Sequence, residues 1–166
     1  SSFQLLKQAL TKAPILSYPT REGVFILDTD ASNEGLGAVL HQIQGGDEKV
    51  ICYASKTLSD TQRNYCTTHK ELLAVVTFVK MFRSYLWGRH FTIRTDHASL
   101  RWLVNFKCPE GMVARWLATL STYDFDIIHR PGLKHANADA LSRRVTRPCK
   151  RPDCPDCQPM NVENIF

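Results

Sequence analysis

The sequence predicts an α/β fold on a five-stranded mixed sheet, three strands antiparallel and two parallel, flanked by helices. Two observations carry this. Short hydrophobic runs alternate with helically spaced segments in the order β-β-β-α-β-α-α-β-α, and Gly or Pro-Gly punctuation separates them. The 166 residues are 43% hydrophobic and 22% charged, enough for one domain with a real core and unlike collagenous, low-complexity or mucin-like chains. The longest apolar run, as in Leu72–Val76, spans only a few residues, far short of the roughly 20 that cross a bilayer.

Phe3, Leu6 and Leu10 share helical spacing and Pro14 and Pro19 follow, so residues 1–20 read as a tether helix before the domain. Val24–Asp30 reads as a strand covered on both faces. Gly35 and Gly37 are expected to break the following turn before a second strand over Ala38–Ile43, and Gly45-Gly46 turns the chain into a third over Val50–Ser55, which makes an antiparallel meander. Asp60 or Ser59 can cap one long helix from about Thr61 to Trp87, which Gly88 stops. Phe91–Asp96 is the fourth strand. Short helices are expected near Ala98–Val104 and Met112–Thr122, then a fifth strand over Asp124–His129, a Pro131-Gly132 turn and a last helix around Ala136–Arg144. The domain proper is thus 21–144, and the Pro- and Cys-rich residues 145–166 read as a linker.

Charge argues little. Residues 1–142 hold 16 Lys/Arg against 13 Asp/Glu, and 143–166 hold five against three, so a polyanionic partner is allowed but not demanded. Cys52, Cys66 and Cys108 sit in apolar or helical contexts, as free buried thiols do, which points to a reducing intracellular compartment. Cys149, Cys154 and Cys157 follow a C-x4-C-x2-C spacing without a fourth ligand downstream. Two alternatives stand, a flexible linker and a zinc site completed by His135. With no initiator Met, leader or anchor, the chain reads as a piece of something longer.

Right-handed connections place the first, fourth and fifth strands side by side. Asp30 and Asp96 then lie together at the carboxyl ends of adjacent parallel strands, where open α/β sheets carry their sites. Glu71 falls inside the apolar stripe of the long helix, within about 20° of Phe78. A carboxylate so placed needs a partner, a proton or a cation. Asp139, opening the last helix, is delivered to the same edge. Singly, each has a bland reading as a turn former, surface residue or cap; together, four converging carboxylates persist only with raised pKa values or bound cations. Oxygen-only ligands suggest Mg2+, with Mn2+ as a substitute, and two such ions would support phosphodiester hydrolysis.

The motifs are Leu27-Asp28-Thr29-Asp30-Ala31-Ser32 with Gly35–Leu40, Tyr53–Leu58, His69–Ala74, Thr95–Leu100, and Pro131-Gly132 leading to Asn137-Ala138-Asp139-Ala140-Leu141-Ser142-Arg143. On these the chain resembles, over roughly residues 3–144, the ribonuclease H domain of gypsy-type (Metaviridae) LTR retrotransposon polyproteins. The resemblance implies a ribonuclease H-like fold. It further implies that Asp30, Glu71, Asp96 and Asp139 are metal-binding catalytic carboxylates for cutting the RNA strand of RNA–DNA hybrids during reverse transcription. The first 20 residues then connect back to the polymerase and the tail leads toward integrase. Reverse transcriptase and integrase become linked partners, no membrane is involved, and a homodimer through the polymerase is compatible. A cytoplasmic virus-like particle is the implied location.

Related domains keep a His near the scissile phosphate. His129, ten residues before Asp139, and His135, inside the intervening loop, are the alternatives, with His129 favoured; a His near its ordinary pKa suits proton transfer or product release. Ser32, Asn33, His97 and Ser99 are candidate substrate contacts, able to sense a 2′-hydroxyl, against a plainer reading as turn, cap or structural residues. Lys56, Arg63, Lys70 and Arg94 can hold phosphates or simply be solvated. Asp28 is read as structural. No basic-aromatic helix lies between Gly88 and Phe91, so the isolated domain is expected to bind substrate weakly. Two rivals remain: a catalytically silent scaffold or dimerisation module of the same fold, and a strand-transferring integrase core.

Overall fold

In the computed structural model the described residues are 4, 5, 8, 16–98, 100, 111–130 and 136–143, the side chains of 136, 137 and 139 excepted. Five strands form one mixed sheet: β1 (Phe25–Ala31), β2 (Gly35–Gln44), β3 (Asp47–Thr57), β4 (His90–Thr95) and β5 (Asp124–His129), in the spatial order β3-β2-β1-β4-β5. The β1–β2 and β2–β3 pairs are antiparallel, and β1–β4 and β4–β5 are parallel, as expected. Gly45 and Gly46, with φ of 61° and 91°, close the β2–β3 hairpin in the left-handed region that such a turn requires. A register shift follows Leu40. Ser17 N–H donates to the Val50 carbonyl (2.8 Å), tying the incoming chain to the β3 edge.

The helices depart from the single long segment expected over 61–87. The chain instead makes α1 (Asp60–Arg63), α2 (Thr67–Met81) and α3 (Arg83–Leu86). Ser59 and Gln62 form a capping box that starts α1. Asn64 closes it and Cys66, extended at φ −65° and ψ 160°, restarts the chain. Asn, Cys and Thr are weak helix formers, and at the break Tyr65 meets His69 edge-on and Trp116 in a tilted contact. At Phe82 (φ −93°, ψ 19°) the helix pauses again, yet Phe78 and Phe82 remain stacked at 6.3 Å. Gly88, at φ 72°, ends the run as expected. Beyond it lie α4 (Gly111–Leu120) and α5 (Ala136–Ser142).

Strand alternation sorts the two faces of the sheet. Phe25 and Leu27 of β1 with Leu36, Ala38 and Leu40 of β2 join Leu72, Ala74, Val75, Phe78 and Val79 of α2 in the main core. Each such fully buried Leu, Val or Phe contributes about 1.5–3 kcal/mol. Asp28 and Asp30 alternate onto the opposite face, where α5 packs against β1 and β2.

Gln4, Leu5 and Gln8 are helical; of the expected 98–104 helix, Ala98 is in a turn and Leu100 is helical and buried, while Ser99 and 101–104 lie outside the described residues, as do His135, Cys108, Cys149, Cys154 and Cys157. Cys52 and Cys66 are free thiols. Burial pushes Cys52 up to about 11, whereas Cys66 is exposed at the start of α2 rather than buried. Among the described residues no helix is long and apolar enough to cross a membrane.

Candidate active site

Asp30 lies one residue before the end of β1, Asp96 directly follows β4, and Glu71 sits in the second turn of α2. Each offers a carboxylate oxygen, and these oxygens all lie within 4.8 Å of one another. Asp30 is 5% and Glu71 3% exposed, and Asp96 is the most open of the three. The Ala31 N–H donates to Glu71 Oε1 (3.2 Å), but Oε2 is buried without a hydrogen-bond partner. Burial, followed by the Asp30 and Asp96 charges, pushes the Glu71 carboxyl up to about 8, against the Ala31 hydrogen bond. A buried, partnerless carboxylate oxygen within reach of two further carboxylates fits a divalent cation with oxygen ligands.

The fourth carboxylate expected at the site, that of Asp139, belongs to α5. Gly35 and Gly37 were expected to break the chain before β2; both lie inside it, and the reason is contact. A Cβ on Gly37 would stand 2.3 Å from the Ala138 carbonyl oxygen and 2.5 Å from Ser142 N, and one on Gly35 would stand 2.8 Å from the Ser142 carbonyl oxygen. Only bare backbone lets α5 settle this closely. Three serines secure it: Ser55 Oγ donates to the Leu141 carbonyl (2.7 Å), Ser32 Oγ to the Ser142 carbonyl, and Ser142 Oγ to Asp30 Oδ2 (2.5 Å). The first two of these bonds occupy C-terminal carbonyls that a helix otherwise leaves unpaired. Asp139 is carried on this docked helix; its side chain lies outside the described residues.

His129 ends β5, and its Nε2–H donates to the Asp96 carbonyl (2.9 Å), beside the trio. His97 faces Thr68, Nε2 to Oγ1 at 3.1 Å, and its N–H donates to Thr95 Oγ1. The Ser32 hydroxyl accepts from the Glu34 and Gly35 amides as well as bonding α5, so it holds the β1–β2 turn. Asn33 is exposed, and its Oδ1 accepts from Lys70 Nζ (3.1 Å). A cavity of about 450 Å³ is lined by Ala31, Ser32, Asn33, Glu34, Thr67, Lys70 and Arg143, which include the chain neighbours of Asp30 and Glu71 but none of the three carboxylates.

Arg94 is no free phosphate holder. Its guanidinium forks onto Asp28 (Nε–Oδ1 2.5 Å, Nη2–Oδ2 2.7 Å) and Glu48 (Nη1–Oε2 3.0 Å, Nη2–Oε1 2.7 Å). His41 sits between the same acids, 3.0 Å from Asp28 and 3.1 Å from Glu48. Burial alone would raise the Asp28 pKa, but hydrogen bonds from His41 and Arg94 and their charges more than offset it and hold the carboxyl below its ordinary value. Asp28, His41 and Glu48 are near enough for a metal, yet the guanidinium already supplies their cation, so the group is a structural lock, in keeping with the structural role expected of Asp28. Arg94→Ala, which leaves the buried Asp28 charge to His41 and to Arg130 Nη1 at 3.9 Å, should cost about 1–3 kcal/mol, seen as a lower urea midpoint, and Arg94→Lys should not restore it because the fork is lost. An unchanged midpoint would refute the lock. Sequence reading missed this group because its members, 28, 41, 48 and 94, are joined only by sheet register.

Residues 20–123 match the family described as the RNase H-like domain found in reverse transcriptase, a span that includes Asp30, Glu71 and Asp96. The chain is 46% identical over 142 residues to the retrovirus-related Pol polyprotein from transposon 297 of Drosophila melanogaster, covering 86% of this chain and 13% of that protein. It is 37% identical over 144 residues to the enzymatic polyprotein of Carnation etched ring virus, covering 84% and 22%. It therefore spans less than a quarter of these relatives. Among solved structures it is similar to the foamy viral protease-reverse transcriptase in complex with RNA/DNA hybrid (TM-score 0.64, 18% identity, 91% of this chain and 20% of that one). It is also similar to LC11-RNase H1 in complex with RNA/DNA hybrid (TM-score 0.53, 17% identity, 72% and 93%). At those identities the two structures speak for the fold.

Proposed function

The chain belongs to the RNase H-like domain family found in reverse transcriptase, and on that premise we propose that it is a metal-dependent endoribonuclease cutting the RNA strand of RNA–DNA hybrids. The convergence of Asp30, Glu71 and Asp96, with the partnerless Glu71 Oε2, carries this reading. A scaffold of the same fold has no need to bury two carboxylates against a third at this cost. The relatives are Pol and enzymatic polyproteins, so the domain is proposed to act joined to reverse transcriptase and followed by integrase, inside a virus-like particle.

Asp30, Glu71 and Asp96, with Asp139 from α5, would hold Mg2+ or Mn2+. Bound there, two such ions would supply an activated water and stabilise charge on the leaving oxygen. The chain's own residues do the rest. Three carboxylates fixed at the ends of two strands and on a helix would hold the cations in place, and through them the reacting phosphate in register. His129, whose Nε2–H is held by the Asp96 carbonyl, is proposed to pass a proton from its other ring nitrogen to the departing 3′-oxygen or to ease product release. The cavity lined by Ser32, Asn33, Thr67, Lys70 and Arg143 offers amides, hydroxyls and cations to the sugar-phosphate backbone and the 2′-hydroxyl.

The test is strand-resolved cleavage of a labelled hybrid with Mg2+, beside duplex DNA and duplex RNA. RNA-strand cutting confined to the hybrid and abolished by EDTA is expected; DNA-strand cutting would promote the integrase reading. Lys70→Ala should weaken hybrid binding and lower the slope of log K against log salt by about 0.9, one phosphate contact. An unaltered slope would remove Lys70 from the substrate track.

A further inference from the structure

We propose that Ser142 is a positioning residue that orients the Asp30 carboxylate for cation binding, so that α5 delivers both a carboxylate of its own and the donor that sets another. The inference deepens the metal-dependent reading and rests on it. Ser142 is 2% exposed, and its hydroxyl donates to Asp30 Oδ2 at 2.5 Å across 112 residues of sequence. A hydroxyl has one hydrogen to give. Directed at an ionised carboxylate, it makes a charge-assisted bond, roughly twice as strong as a neutral one, and fixes which way the carboxylate plane turns.

What distinguishes this serine from a chance neighbour is that its own position is overdetermined. Its carbonyl accepts from Ser32 Oγ. Its backbone N and O lie against Gly37 and Gly35 so closely that no Cβ fits on either. The preceding carbonyl, of Leu141, accepts from Ser55. The backbone that carries the donor therefore cannot move away from Asp30 without undocking the helix. Partners behind a metal ligand that hold its orientation typically govern metal affinity by 10- to 100-fold. Nothing in the Asn-Ala-Asp-Ala-Leu-Ser motif marks this serine as more than a polar residue closing a helix.

The measurement is Mn2+ binding to the full chain by titration calorimetry, with hybrid-cleavage kinetics and thermal melting in parallel, on Ser142→Ala, Ser142→Thr and Ser55→Ala. Ser142→Ala should weaken Mn2+ about 10- to 100-fold and lower kcat at fixed metal, with KM for the hybrid unmoved. Ser142→Thr, which keeps the hydroxyl, should restore most of the affinity. Ser55→Ala loses a bond that docks the same helix without touching Asp30, so it should lower the melting temperature and leave Mn2+ affinity intact. The proposal is overturned if Ser142→Ala binds Mn2+ like the wild type, or if Ser55→Ala weakens Mn2+ as much as Ser142→Ala does. Should the affinity depend on Ser142 while no hybrid is cut, the positioning role stands and the ribonuclease reading fails. Wild-type cutting with a Ser142→Ala variant that binds Mn2+ unchanged does the opposite: the ribonuclease reading stands and the positioning role fails.

Discussion

Glu71→Gln should abolish cleavage and, in the absence of metal, make the chain more stable at alkaline pH. The two halves share a cause. The Glu71 carboxyl, with an ordinary value of 4.5, is pushed up to about 8 by burial and by Asp30 and Asp96. Below the ordinary value both folded and unfolded chains hold the proton, and ionisation costs nothing. Between about 4.5 and 8 the folded chain binds a proton that the unfolded chain has lost, so stability falls as pH rises across that window and levels off above it. The loss attributable to this group is on the order of 5 kcal/mol. A glutamine cannot ionise and should escape it. Urea unfolding in EDTA at pH 4 and pH 9 checks this: the variant should nearly match the wild type at the lower pH and exceed it at the higher. Parallel pH dependence of the two chains would rule out Glu71 as the source. With Mg2+ present the order reverses for activity, and the variant should lose at least about 10³-fold in rate, the equivalent of roughly 4 kcal/mol of transition-state stabilisation.

Gly37→Ala should be nearly as damaging, although it adds one methyl group and removes no functional atom. The new Cβ would stand 2.3 Å from the Ala138 carbonyl oxygen, 2.5 Å from Ser142 N and 2.8 Å from the Leu141 carbonyl carbon. All three are backbone atoms of one helix, so no side chain can swing aside and α5 itself must retreat. Overpacking of this kind costs about 1–3 kcal/mol. Retreat also strains the Ser32, Ser55 and Ser142 bonds and carries Asp139 off the sheet edge, and a displacement near 1 Å at reacting groups costs about 10²-fold in rate. Thermal melting and hybrid cleavage should therefore both fall. Gly45→Asn is the control: Gly45 has nothing within 4 Å of a built Cβ and a φ of 61° that asparagine tolerates in a hairpin turn, so it should leave both nearly unchanged. Wild-type melting and cleavage in Gly37→Ala would show that α5 is not held by these contacts.

The strand order and the site were legible in the sequence for one physical reason. A parallel pair flanking β1 follows from connection handedness, and once β1 and β4 are neighbours, Asp30 and Asp96 have nowhere else to be. Glu71 stood out as a charge within an apolar stripe. The division of the long helix was less legible. Its apolar stripe runs through Phe82 almost undisturbed, while the interruption at Asn64–Cys66 is a matter of local backbone choices worth tenths of a kcal/mol to about 1 kcal/mol each. Gly35 and Gly37 read as turn breakers because glycine's commonest use is conformational; here they make room for a helix about a hundred residues away in sequence, and no local pattern carries that. The Arg94 lock and Ser142 were hidden for the same reason.

The decisive experiment is RNA-strand cleavage of a hybrid by the wild-type chain and by Asp96→Asn, each with Mg2+ and with EDTA. Asp96 is the most open of the trio, so its replacement disturbs folding least. Metal-dependent cutting by the wild type, lost in Asp96→Asn while its melting temperature holds, is the predicted result. Cutting by a folded Asp96→Asn, or cutting by the wild type that survives EDTA, would contradict it.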